Sequence, residues 1–100
     1  MKAITPGHKY SLASFEGGPE QQIQFIEKVR IEGGALRTTS DGTTNEEVLA
    51  VLIDRLDYLQ HLCPCRENAI VITKLEEALM WLNKRTADRK ARGVEGRAER

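Results

Sequence analysis

The chain has 100 residues, 40% of them hydrophobic and only five aromatic, and its fifteen Lys and Arg balance fifteen Asp and Glu to a formal charge of zero. That is the size of one small domain with a modest core, for which association between copies is a common source of stability. The longest apolar stretch, residues 48–53, has six residues against the about 20 that span a bilayer, and no apolar run follows a basic start, so neither a membrane span nor a signal peptide is expected.

Residues 1–20 are mixed. "HKYSLASFEGGPE" carries Tyr10, Leu12 and Phe15 and ends on Gly17, Gly18 and Pro19, a strong break. In residues 22–32 the apolar positions Ile23, Phe25, Val29 and Ile31 alternate with Gln24, Lys28 and Arg30, while Ile26 and Glu27 interrupt the alternation. Period two predicts a strand or extended arm, with a short helix as the competing reading. "EGGALRTTSDG" reads as a loop with a second short extended piece at residues 35–39.

The clearest start signal follows. In "TTNEEV", Thr44 and Glu47 have capping-box spacing, and Glu46 also suits a helix N-terminus. Val48, Leu49, Leu52, Leu56, Leu59 and Cys63 then repeat at helical spacing, forming one stripe at about 100° per residue. Pro64 enforces a break. A second helix opens near Arg66 with Val71, Ile72, Leu75, Ala78, Leu79 and Leu82 as its stripe. It stops in "RKARGVEG": Gly93 suits the left-handed residue past a helix end, Arg89, Lys90 and Arg92 suit the negative end of the dipole, and Val94 is placed to touch the last turn.

The expected fold is therefore mainly α: an antiparallel hairpin of two long helices with a short N-terminal arm, extended or helical. The expected organisation is a single domain, with arm and loop at 1–40, helices at 44–63 and 65–92, and a tail at 93–100. Val51, Tyr58 and Leu62 lie off the first seam, and Ile70 and Trp81 project to a flank with Lys74, Arg85 and Arg92. A hairpin buries one face of each helix, so this surplus apolar surface predicts self-association.

Charge is unevenly spread. Residues 84–100 hold seven Lys or Arg against three Asp or Glu, leaving the first 83 residues net negative. The cysteines lie together in "HLCPC", where His61, Cys63 and Cys65 are three soft ligands within five residues. Their C-x-C spacing suits a tetrahedral metal poorly, and no metal or cofactor is expected. His61 with Asp57 one turn earlier is the sole candidate for a general base, and no nucleophile joins them. There is no G-x-S-x-G, H-E-x-x-H or glycine-rich phosphate loop, so an enzyme is not expected. Anion binding is better served. Arg66 opens the second helix, where free N–H groups and the dipole favour phosphate, and Thr73 lies seven residues on. Tyr10, flanked by His8 and Lys9, sets an aromatic face beside positive charge, and Lys28 projects from the polar side of the arm. The plain alternatives are a paired cap residue, core packing and surface solvation.

"DGTTNEEVLAVLIDRLDYLQ" followed by "PCRENAIVITKLEEALMWLNKRTADRKARGVEG" resembles the phage family of anti-CBASS cyclic-nucleotide sponges, and more distantly the helical hairpin of phage anti-Thoeris sponges. The resemblance covers residues 41–96 most fully and extends to the arm in "HKYSLASFE" and "QFIEK". It departs at Cys63, where a bulky apolar residue is usual, and at Arg97, where the family tends to threonine. It implies a hexamer that binds cyclic oligonucleotide alarm signals in the cytoplasm of an infected bacterial host and holds them uncleaved. It further implies an arm aromatic, matched by Tyr10, stacking on cyclic dinucleotide bases, with Lys28 on phosphate and His8 and Lys9 beside them. A separate site for cyclic trinucleotides gathers arginines from several subunits, matched by Arg66, with Thr73 near it. No membrane, DNA or RNA partner is implied. A phosphodiesterase acting on the same signals, or a small nucleic-acid-binding or structural helical protein, stands as the alternative.

Overall fold

The computed structural model describes residues 1–93, and these form two compact units, Met1–Thr44 and the helical segment from Asn45 onward. The first unit overturns the expectation of a mainly α chain with an N-terminal arm. It is built of five short antiparallel strands in two sheets: β1 (Lys2–Thr5), β2 (Lys9–Leu12) and β3 (Gln21–Gln24) in the order β1-β2-β3, then β4 (Glu27–Arg30) paired with β5 (Leu36–Ser40).

Turn chemistry explains each reversal. Between β1 and β2, Pro6 and Gly7 occupy the centre of a tight turn closed by His8 N–H donating to the Thr5 carbonyl at 2.9 Å, with Gly7 at φ 79°. Proline presets the first central residue of such a turn and glycine supplies the positive φ of the second. The β2–β3 connection is clipped by Ser14, whose hydroxyl donates to the Pro19 carbonyl and whose carbonyl accepts from Gly17 N–H. β4 and β5 are joined through a 3-10 turn at Glu32–Gly34, closed by Ile31 N–H donating to the Ala35 carbonyl at 2.9 Å.

The interruption at Ile26 and Glu27 is where the chain leaves one sheet for the other. Phe25 forms a parallel bridge with Thr43, flanked by Thr43 N–H donating to the Gln24 carbonyl at 2.8 Å and Ile26 N–H donating to the Thr43 carbonyl at 2.9 Å. Gly42 lies against that crossing so closely that a Cβ there would sit 2.5 Å from the Gln24 carbonyl oxygen. The Gln24 side chain donates to Ser40 Oγ at 2.8 Å, a further tie between the two sheets.

The second unit is a hairpin of α1 (Asn45–Leu62) and α2 (Arg66–Ala91), which pack on each other. α1 starts directly after Thr44 with Glu46 and Glu47 in its first turn. Cys65 caps α2: its backbone is extended and its sulfur accepts from Asn68 N–H at 3.4 Å. Gln60 holds the connection from α1, donating to the Cys65 carbonyl and accepting from Cys65 N–H, both at 3.0 Å. At the other end Gly93 has φ 73° and donates to the Lys90 carbonyl at 3.1 Å. The contact expected of Val94 lies outside the described residues.

The seam is narrower than the sequence stripes. Leu49, Ile53, Leu56, Ile72, Leu75, Leu79 and Leu82 are half-buried, whereas Leu52, Cys63, Val71 and Ala78 are exposed. Two cylinders touch along one line, so each helix shelters only a strip of its apolar face. Among the described residues no apolar side chain of the single chain reaches full burial.

Candidate ligand-binding surfaces

Tyr10 lies on the central strand β2, across from Ala3 on β1 and Ile23 on β3. Successive strand residues point to opposite faces, so Tyr10, Ala3 and Ile23 share one face and Lys9 occupies the other, across from Gln24. The tripeptide read as one patch is therefore split by the pleat. Tyr10 is half-buried and its ring meets Phe25 edge-on, with centroids 6.0 Å apart and planes at 84°. His8 is held by its surroundings: Nδ1 lies 3.1 Å from the Pro6 carbonyl and 3.4 Å from Glu27 Oε1. The other oxygen of Glu27 accepts from the Thr39 hydroxyl at 3.3 Å. Phe25 and Glu27 are thus the partners that the sequence did not reveal, although Phe25 stood in the period-two run. Lys28 is exposed on β4, across from Thr38 on β5, in the second sheet.

Arg66 and Thr73 do share a surface. With Ala69, Ile70 and Lys74 they line an open depression of about 330 Å³ along the first two turns of α2. Arg66 is the first helical residue, where unshared N–H groups and the positive end of the dipole favour anions. Thr73 donates its hydroxyl proton to the Ala69 carbonyl at 3.1 Å, so toward a ligand its oxygen acts as an acceptor. Lys74 adds a second cation one face-step from Arg66, at the i+8 position of the same helix side, and was not singled out for this site from the sequence.

His61 does not engage the Asp57 carboxylate. Its Nδ1 lies 2.8 Å from the Asp57 carbonyl oxygen, the ordinary back-bond of a side chain to the preceding turn. Cys65 is occupied as the α2 cap, and no cluster of three His, Cys, Asp or Glu able to hold a metal occurs among the described residues. None of the described helices is long and apolar enough to cross a membrane.

Comparison with known proteins places this geometry. Residues 26–87 match the family described as Acb2/Tad1, hairpin domain, a stretch running from the end of the sheet crossing through most of α2. A 62-residue segment is 60% identical to Thoeris anti-defense 1 of Bacillus phage SBSphiJ7, covering 61% of this chain and 44% of that protein. The match therefore spans under half of the relative's length. Lys28, Arg66 and Thr73 lie inside the family match, and His8, Lys9 and Tyr10 precede it.

Proposed function

The chain belongs to the Acb2/Tad1 hairpin-domain family, and from that membership we propose that it is a phage anti-defence protein that binds cyclic oligonucleotide immune signals and holds them uncleaved. The observation that carries this reading is the family match across both helices, together with the identity to a relative named for anti-defence. Acting by mass action in the cytoplasm of the infected host, it withholds the signal from CBASS effectors. A sponge needs affinity and chemical inertness.

The trinucleotide site sits at Arg66 and Thr73, repeated around a symmetry axis of a hexamer, so that several copies each contribute one cation to one ligand. Arg66 and Lys74 on one exposed helix face support it. Dinucleotides such as 3′,3′-cyclic GMP–AMP bind at Tyr10, with His8 in the turn just before β2 and Lys28 for phosphate. Lys9, on the opposite face, is left out of that pocket. This part of the reading follows the resemblance of the arm, since Tyr10 precedes the family match. The relative's name refers to Thoeris defence, so a cyclic ADP-ribose isomer joins the ligands to be tested.

Titration calorimetry against 3′,3′-cyclic GMP–AMP, a cyclic triadenylate and a cyclic ADP-ribose isomer tests the proposal, with the ligand recovered after protein digestion and run on chromatography. Tight binding of any one, with the nucleotide returned intact, is expected. A linearised product would replace the sponge by a phosphodiesterase, and no binding to any of the three would remove it.

A further inference from the structure

The two helices of the hairpin carry opposite charge on their outer faces. On α1 the outer depression is lined by Glu47 and Asp54 against Arg55 alone, whereas on α2 it is lined by Lys84, Arg85 and Arg92 against Asp88. Each outer face also has an apolar centre. On α1 this is Val51 and Tyr58, which are 62% and 65% exposed, and on α2 it is Trp81, 55% exposed. Each centre lines an open depression, about 520 Å³ on α1 and about 250 Å³ on α2.

At about 100° per residue, Val51, Asp54 and Tyr58 lie roughly opposite the half-buried Leu49, Ile53 and Leu56 on α1. Trp81 and Arg85 likewise lie away from Leu75, Leu79 and Leu82 on α2. The inner faces are already used on each other, so one copy's outer faces point in different directions and its α1 cannot cover its own α2. Pairing like with like would set Asp54 against acidic neighbours, or Arg85 against basic ones, and like charges brought together at an interface cost affinity. Unlike faces instead set the acidic Asp54 and Glu47 against basic neighbours.

We propose that the acidic outer face of α1 docks on the basic outer face of α2 of a second copy, antiparallel, with Tyr58 on Trp81 and Asp54 on Arg85. The spacing supports that register. Tyr58, Asp54 and Val51 step back by four and three residues, and Trp81, Arg85 and Asp88 step forward by four and three. Aligned in opposite directions, the two rows stay in step for two turns, with Val51 level with Asp88 and Arg55 level with Lys84. Asp54 and Arg85 make no hydrogen bond or ion pair within the described residues, so each is available to the other. Such a contact is heterologous: each copy offers a different face to each neighbour, and repetition closes a ring when the rotation permits. The inference rests on the assembly part of the proposed function and is independent of the ligand.

The test is size-exclusion chromatography with light scattering on the full chain at about 1–100 µM, a range wide enough to titrate association, for the parent, Asp54→Arg, Arg85→Asp and the double reversal. Circular dichroism on each sample checks that the helices persist. Each single reversal is expected to weaken assembly by about tenfold or more, the scale of a lost close charge pair. The double reversal is expected to restore it to within about threefold, since the pair is rebuilt with its signs exchanged. A parent that stays monomeric throughout would overturn this docking and the proposed assembly together. A parent that assembles while both single reversals assemble equally well would overturn the docking and leave the assembly standing. Folded single reversals that dissociate, with a double reversal that does not recover, would overturn the pairing of these two residues.

Discussion

Tyr10 and Phe25 meet edge to face at 6.0 Å, joining the middle strand of the first sheet to the point where the chain crosses to the second. Neither ring is deeply buried, so the pair both closes a small apolar face and leaves a ring surface for a ligand. The two roles separate by substitution. Tyr10→Ala removes an aromatic pair worth about 0.5–1.5 kcal/mol beyond its area, together with stacking of about 1–3 kcal/mol per base. Phe25→Leu removes only the first. Tyr10→Ala should therefore lower the melting temperature and abolish dinucleotide binding, whereas Phe25→Leu should lower the melting temperature and leave most of the affinity. Calorimetry that finds Tyr10→Ala binding like the parent would remove Tyr10 from the pocket.

Arg66 opens α2 in a depression that it shares with Thr73 and Lys74. A hydrogen bond to a charged group is worth about 1.5–3 kcal/mol, and a ligand on a symmetry axis meets several copies at once. Arg66→Ala should therefore weaken cyclic trinucleotide binding by well over tenfold and leave dinucleotide affinity unchanged. Arg66→Lys should retain part of the loss-sensitive affinity, because a point charge replaces a bidentate fork. Equal loss of both ligand classes in parallel titrations would show one shared site instead of two.

The helices were legible because their signals are long and redundant: a cap at Thr44 and Glu47, a stripe of several turns, Pro64 as a break and Gly93 as a stop. The sheets were not. Strands of four residues carry one or two alternations each, too few to stand out. The decisive mark of the first hairpin is the Pro6–Gly7 pair between "KAIT" and "KYSL", a turn signal whose flanking segments are too short to show alternation of their own. Ile26 and Glu27 broke the period because the chain changes sheets there, which a local pattern does not encode. Near Tyr10, linear adjacency does not give a shared face, since the pleat sets Lys9 and Tyr10 on opposite sides of β2. On α2, two helical turns bring Arg66 and Thr73 to one depression.

Gln60 reaches from the last turn of α1 to both backbone groups of Cys65, with two bonds of 3.0 Å. This clamp fixes the residue whose sulfur caps α2. Gln60→Ala leaves a donor and an acceptor in the connection to water, at a net cost of about 1 kcal/mol for each exposed bond. Urea unfolding should show a lower midpoint at an unchanged slope. Cys65→Ser replaces the sulfur acceptor with an oxygen suited to an N-cap, so it should be neutral or slightly stabilising. A Gln60→Ala midpoint equal to that of the parent would mean that the connection is held by helix packing alone.

Gly42 has no room for a side chain. Its φ is not positive, so backbone conformation alone would admit alanine. The obstacle is space: an added Cβ would meet the Gln24 carbonyl oxygen at 2.5 Å, the Phe25 carbonyl carbon at 2.6 Å and the Ile26 nitrogen at 2.9 Å. All three belong to backbone, which cannot swing aside as a side chain would. They flank the Thr43 N–H and carbonyl bonds that join the two sheets, so relief requires lengthening those bonds. Gly42→Ala should therefore cost at least the about 1–3 kcal/mol typical of forced overpacking. Gly18 supplies the control. An added Cβ there would rest 3.7 Å from Ser14 Cβ, ordinary contact, and Gly18→Ala should lie within about 0.5 kcal/mol of the parent. Hydrogen exchange locates the damage: in Gly42→Ala, amides of Ile26 and Thr43 should lose protection while those along α1 and α2 keep it. Equal stability of the two alanine variants in urea would show that the strands separate at that crossing without loss.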